Sequence, residues 1–178
     1  RQMEGDTEHL REGLNRLFPR SAEGHGRARE GGPDWQKIAA LAAVLQNLTV
    51  ISGAPGTGKT ATVAKAIILL LEQSRGKKLR IALAAPTGKA AARLQEVVAE
   101  ARDRWCPDQQ IREAMPDRAM TIHRLLGSQP RSSRFRHHRD NPLSVDVVVV
   151  DEASMVDLPL LAKLLQALPE KARLILLG

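Results

Sequence analysis

The run Gly53-Ala54-Pro55-Gly56-Thr57-Gly58-Lys59-Thr60 satisfies the pattern G-x-x-x-x-G-K-[ST], and it lies between a short apolar run and a helical pattern. Glycines let such a backbone curl until its N–H groups point at one place, and the helix opening behind them adds positive potential there. That is the chemistry of a nucleotide-phosphate cradle. Gly53, Pro55, Gly56, Thr57 and Gly58 shape the loop, Lys59 reaches β- and γ-phosphates, and Thr60 offers a hydroxyl to Mg²⁺. A chance glycine turn is the bland alternative, and the strand-to-helix setting disfavours it. Further on, Val147-Val148-Val149-Val150-Asp151-Glu152 ends a buried-strand pattern in an acidic pair, at the strand end where α/β sheets place ligands. Asp151 suits the Mg²⁺ shell, and Glu152 suits polarisation of an attacking water. An apolar strand ending in Asp says little alone and a good deal behind a phosphate loop. The candidate catalytic residues are therefore Lys59, Asp151 and Glu152, and the candidate metal ligands are Thr60 and Asp151.

Three further patterns carry both a functional and a structural reading. Gln36, in Asp34-Trp35-Gln36-Lys37, has the two-sided amide that can pair with the N6/N7 edge of adenine; alone it would read as an exposed helix glutamine. Ala85-Pro86-Thr87-Gly88-Lys89 through Arg93 begins a helix behind a strand. Pro86 and Gly88 free N–H groups at the helix start, and Thr87, Lys89 and Arg93 add donors. A second phosphate, such as a nucleic-acid backbone, fits that set, and so does an ordinary capped turn with surface cations. Thr121 and His123 have the same dual reading, as strand contacts or as a simple N-cap and its neighbour. His137 and His138 lack a carboxylate or cysteine constellation, so a solvated basic loop is the better account of them. Trp105 and Cys106 read as packing.

These residues need a scaffold, and the hydrophobic pattern predicts one. Strands are expected over 48–52, 79–85, 145–150 and from Arg173 to Leu177, with helices over 60–73 and from about Thr87 to Arg104 between them. Asp34 caps a helix carrying Trp35, Ile38, Leu41, Ala42 and Leu45 on one face. In the phosphate-loop helix Val63, Ile67, Leu70 and Leu71 point inward. Asp157 caps a helix with Pro159 in its first turn and Leu161, Leu164, Leu165 and Leu168 inside. Four consecutive valines mean burial on both faces. Strand and helix in alternation predict an α/β fold with a mostly parallel, doubly wound sheet. Residues 1–32 are polar and broken and read as a linker or tail, with only Leu10, Leu14, Leu17 and Phe18 at the spacing of a short amphipathic helix. Between Trp105 and Asn141 the pattern weakens to one short helical piece, Thr121 to Leu126, and a basic cluster of Arg131, Arg134, Arg136, His137, His138 and Arg139. That length suggests a functional excursion from the sheet.

Composition narrows the field. Of the 178 residues 43% are hydrophobic and 26% charged, which is globular. Aromatics are 2%, namely Phe18, Trp35, Trp105 and Phe135, too few for a binder that stacks successive bases. One cysteine excludes an intrachain disulfide and a cysteine metal cluster. No apolar run spans a bilayer. The net charge of +7 arises wholly after residue 34, since residues 1–34 hold six Arg against seven acids. Such an excess favours a polyanionic partner, nucleic acid before acidic lipid.

Taken in order, WQK, GAPGTGKT, APTGKAAARL, TIHRLLG, VVVVDEAS and LILLG resemble the consecutive motifs of superfamily 1 DNA helicases of the 5′→3′ type. Within that group the chain is similar to the RecD family, the alpha subunits of exodeoxyribonuclease V (the RecBCD complex). RHHRDNPL, DEASMVDLP and LNRLFP extend the likeness over roughly residues 14–178. The resemblance implies a RecA-like P-loop NTPase fold, with residues 33–178 an incomplete first motor domain, truncated at its C-terminal end. Residues 1–32 would then be a linker or the end of an N-terminal domain. It implies ATP and Mg²⁺ as cofactors, Gln36 as adenine reader, and Pro86, Thr87, Lys89, Thr121 and His123 as single-strand contacts, beside the Arg93 noted above. The implied activity is ATP-driven unwinding of DNA in double-strand-break repair and recombination, in the bacterial cytoplasm at the nucleoid. The implied partners are single-stranded DNA, duplex ends, and RecB-like and RecC-like subunits, with no membrane. The Arg start and the Gly end after an apolar run lead us to expect a piece of a longer protein, lacking the second motor domain and its arginines and so hydrolysing slowly by itself. Two other readings remain at this point: a stand-alone helicase or relaxase-type motor of the same superfamily, and a P-loop switch that binds protein through 131–139.

Overall fold

A computed structural model of the chain describes residues 2–19, 33–129 and 134–178. Helix α1 (Gln2–Leu17) is followed by α2 (Trp35–Leu45), β1 (Leu48–Ile51), α3 (Lys59–Gln73), β2 (Ile81–Ala85) and α4 (Gly88–Trp105). Then come α5 (Gln109–Ala114), β3 (Ala119–Thr121), α6 (Ile122–Leu126), β4 (Val147–Val150), a 3₁₀ turn (Ala153–Met155), α7 (Leu158–Ala167) and β5 (Arg173–Leu177). The strands form one all-parallel sheet in the order β1-β5-β4-β2-β3. The α/β fold with a parallel sheet wound on both faces is the one expected.

β4 is central, paired with β2 on one side and β5 on the other. Its four valines are all buried, and they alternate. Val147 and Val149 enter the core beneath α1–α4, while Val148 and Val150 enter the core beneath α6 and α7. This is why the strand reads as an unbroken apolar run. The caps expected at Asp34 and Asp157 are present, and Thr87 and Thr121 cap their helices as well. Asp34, Thr87, Thr121 and Asp157 accept from the backbone N–H groups of Lys37, Ala90, Arg124 and Leu160. Each satisfies one of the donors a helix start leaves open.

Three expectations need correction. Where the sequence suggests a tail with a short helix, α1 runs sixteen residues, and Leu10, Leu14, Leu17 and Phe18 are buried in the larger core. It packs on α3 at Gly13, where a Cβ would lie 2.7 Å from Leu69 Cδ2. For the same reason α3 is buried nearly all round, Ile68 and Leu69 included. The reading of 20–32 as linker lies outside the described residues. In α7 the buried positions are Leu160, Leu164 and Ala167, whereas Leu165 is 49% exposed and Leu161 and Leu168 are half-buried. Leucines occur on every side of that helix, so periodicity alone did not set its phase. Finally, β3 and α5 fall in the stretch of weak pattern. The basic excursion is tethered by the Ser128–Phe135 and His138–Asn141 bridges, and its Arg131 lies outside the described residues.

Candidate active site

The phosphate loop leaves β1 and is tied at once to the end of β5. Gly178 N–H donates to Ile51 O (3.1 Å), and Gly53 N–H donates to Gly178 O (3.2 Å). Gly56 and Gly58 then adopt φ of +79° and +81°, values that L side chains rarely take. Thr57 closes the turn through its hydroxyl to Ala54 O (2.8 Å). Lys59 lies folded across the loop, Nζ donating to Gly53 O (2.6 Å) and Ala54 O (3.2 Å). A bound phosphate would compete for those same protons. Gln36 reaches in from α2, its Nε2 donating to Thr57 O (2.9 Å). A Cβ placed on Gly58 would come to 3.0 Å of that nitrogen. Thus Gln36, Gly53, Gly56, Thr57, Gly58, Lys59 and Thr60 converge as the sequence suggests, and Gln36 spends its amide on the loop itself.

The sheet order brings the second half of the site to the first. Thr60 Oγ1 donates to Asp151 Oδ2 at 3.2 Å, across ninety-one residues of chain. Asp151 is buried at 7% exposure, and its other oxygen accepts from Glu152 N–H (2.9 Å). A hydroxyl and a carboxylate at a helix N-terminus form an oxygen donor set that fits Mg²⁺. Glu152 is exposed and sits in the left-handed region at φ +53°. Such a conformation costs a non-glycine residue of order 1–3 kcal/mol and clusters at functional sites. Two residues passed over by the sequence reading complete this corner. A Cβ on Gly178 would lie 3.3 Å from Ser154 N, so the end of β5 touches both the phosphate loop and the turn after the acidic pair. The glycine ending an apolar run was the available signal.

The candidate strand contacts lie along the neighbouring strand ends. Ala85 pairs with Thr121, which sets Pro86 and Thr87 beside the start of α6. A shallow cleft of about 260 Å³ there is lined by Gly88, Gln95, Thr121 and Arg124 among others. Pro86, Thr87, Lys89, Arg93 and His123 do not line it. The His123 ring packs on Phe135 (5.8 Å between centroids), which Lys163 Nζ also approaches at 5.1 Å. Arg124 and Gln95 are additions; Gln95 Oε1 accepts from Ala119 N–H (3.1 Å) and so fixes β3 to α4. A larger cleft, about 500 Å³, is lined by Arg102, Asp103, Arg112 and Glu113 among others. Its charges pair with one another, Asp103 with Arg102 (3.3 Å) and Arg112 (3.5 Å), and it shares no residue with the phosphate loop. At the excursion, His137 Nδ1 lies 3.3 Å from Asn141 O, and His138 Nδ1 accepts from Asp140 N–H at 3.3 Å. Cys106 is half-buried, and burial pushes its thiol pKa up, away from reactivity. No helix among the described residues is long and apolar enough to cross a membrane.

The family model described as an AAA domain matches residues 36–178. The RecBCD enzyme subunit RecD of Mycolicibacterium smegmatis is 54% identical over 151 residues, 83% of this chain and 27% of the relative. Its counterpart in Haemophilus influenzae is 41% identical over 175 residues, 96% of this chain and 26% of the relative. The ATP-dependent RecD2 DNA helicase of Deinococcus radiodurans is 42% identical over 131 residues, 74% of this chain and 15% of the relative. The chain therefore spans about a quarter of the length of the RecD relatives it matches.

Proposed function

The chain belongs to the AAA domain family, and on that premise we propose that residues 33–178 are part of the first RecA-like motor domain of a RecD-type DNA helicase subunit. In this reading the intact protein couples ATP hydrolysis to 5′→3′ movement along single-stranded DNA. It works at duplex ends with RecB-like and RecC-like subunits in double-strand-break repair and recombination, in the cytoplasm at the nucleoid. One observation carries the nucleotide chemistry: the Thr60–Asp151 contact at 3.2 Å, which joins the phosphate loop to the acidic strand end.

The residues divide the work. Gln36 offers its amide oxygen to the base while its Nε2 stays on Thr57 O, and the loop N–H groups and the α3 N-terminus receive the phosphates. Lys59 leaves Gly53 O and Ala54 O to take β- and γ-oxygens. Thr60 and Asp151 would hold Mg²⁺, which when bound would supply positive charge to offset that building in phosphoryl transfer. Glu152 orients the water and accepts its proton. Pro86, Thr87, Lys89, Arg93, Thr121 and His123 follow the DNA backbone. The caps of Thr87 and Thr121 leave helix N–H groups at adjoining strand ends, and the Gly88–Arg124 cleft adds a cation beside them. Lys59→Gln in the intact protein should abolish DNA-stimulated ATP hydrolysis; wild-type turnover in that variant would remove the phosphate site.

Similarity to the RecD2 helicase supports a second reading, a motor that acts without RecB-like and RecC-like partners. Purification of the intact protein separates the two, by whether two larger subunits accompany it.

A further inference from the structure

We propose that α1 braces the nucleotide site, with Asn15 setting the base-reading turn of α2 through Lys37 and so tuning selectivity for adenine. The inference rests on the nucleotide reading above and adds a positioning residue that the site motifs leave out.

The two ends of a nucleotide would be held by different helices, the base by the first turn of α2 and the phosphates by the start of α3. Helix α1 touches both. Against α3 it is fixed closely. Gly13 lies so close to the side-chain ends of Leu69 and Glu72 (2.7 and 2.8 Å from a built Cβ) that a larger residue there would force them to shift, and Arg16 pairs with Glu72. Lys65 Nζ donates to Leu17 O (2.7 Å) and lies over the Phe18 and Trp105 rings at 4.6 and 4.5 Å. That ammonium, half-buried between two rings, locks the end of α1 to the helix that begins with Lys59.

Against α2, Lys37 Nζ donates to Asn15 Oδ1 at 2.6 Å. Its importance comes from what else holds that turn. The buried residues of α2 are Ala40, Ala43 and Val44, all in its later turns. Trp35 and Ile38, at its start, are 72% and 45% exposed. Apolar packing therefore holds the later turns of α2 more than its first. What orients the first turn is polar: the Asp34 cap on Lys37 N–H (3.0 Å), the Lys37–Asn15 bond, and Gln36 itself on Thr57 O. Two of these involve Lys37, the neighbour of Gln36 in sequence. Without Asn15 the turn can roll, and Gln36 meets the base edge in more than one pose.

The test uses the intact protein and initial rates of DNA-stimulated hydrolysis with ATP and with GTP. Asn15→Leu removes the acceptor from an exposed surface and should raise KM for ATP about threefold to tenfold, the range of one net hydrogen bond. It should lower the preference for ATP over GTP by a similar factor and leave kcat at saturating ATP unchanged, because Lys59, Asp151 and Glu152 are untouched. Lys37→Met should reproduce this, the double variant should be no worse than either single one, and Asn15→Asp, which keeps the acceptor, should restore wild-type values. An unchanged KM and base preference in both single variants would overturn the proposal, and so would a fall in kcat matching the rise in KM. A wild-type protein with no affinity for ATP would instead overturn the nucleotide reading beneath it, a distinct result.

Discussion

The contact between Gln36 and the phosphate loop can be measured through Gly58→Ala in two backgrounds. Gly58 has φ +81°, and its Cβ would come to 3.0 Å of Gln36 Nε2. Alanine there incurs a left-handed backbone cost of about 1–2 kcal/mol wherever Gln36 is. It also pushes away the amide that donates to Thr57 O, losing a hydrogen bond of about 0.5–1.5 kcal/mol. In the wild-type background the substitution should therefore cost about 1.5–3.5 kcal/mol in urea unfolding. In a Gln36→Ala background only the backbone part remains, about 1–2 kcal/mol. The coupling, about 1 kcal/mol, is read as the difference between the two. Gly56→Ala is the internal standard. At φ +79° and with open space around a Cβ, it should cost the same in both backgrounds. Equal costs of Gly58→Ala with and without Gln36 would refute the reasoning, since they would mean that Gln36 does not rest on the loop.

Further expectations follow from the core, the surface and the strand track. Leu164, fully buried beneath the sheet, should cost about 2–5 kcal/mol as Leu164→Ala, read as a fall in the urea midpoint, with KM for ATP unchanged in the folded protein. Asp146 is held below the usual carboxylate range chiefly by its side-chain hydrogen bond from Arg80 and then by the Arg80 backbone N–H. A depressed carboxylate stabilises the fold above its unfolded pKa and loses that contribution as pH falls through its folded value. The stability gap between wild type and Arg80→Ala should thus be present near neutrality and shrink as pH drops below about 4 in thermal melts; a constant gap would show that the pair's charge is irrelevant. If Arg124 in the Gly88–Thr121 cleft meets a DNA phosphate, Arg124→Ala should flatten the salt dependence of single-strand affinity by about 0.7 in log–log slope, and an unchanged slope would remove it from the track.

Much of this architecture was legible because a local signal and a tertiary requirement coincided. The four valines of β4 are apolar in sequence because both sheet faces are covered, and Asp34, Thr87, Thr121 and Asp157 look like caps because helix starts need their oxygens. The loop and the acidic pair were visible as chemistry, and the parallel order β1-β5-β4 then made them neighbours. That order itself was not readable, since β1 pairs with a strand far along the chain and the local pattern carries no record of it. Helix α1 was underestimated because glycines and charges break its pattern, yet Gly13 is where α3 comes closest. Ile68 and Leu69 look surplus to an amphipathic helix until α1 covers them. β3, three residues long, is too short for alternation to register. Gln36 was recognised by its amide, but its partner Thr57 O depends on a loop conformation that only the positive φ of Gly56 and Gly58 creates.

If Glu152, next to Asp151 at the end of β4, orients the attacking water as proposed, its loss should cost turnover and not grip. Glu152→Gln in the intact protein keeps the size and hydrogen bonding of the side chain and removes its basicity. The most direct measurement pairs Mg-ATP affinity with DNA-stimulated hydrolysis in that variant. That role predicts affinity within about twofold of wild type, and hydrolysis lower by about 10²–10⁴, the usual contribution of a positioned general base. Hydrolysis at the wild-type rate with affinity intact would contradict it.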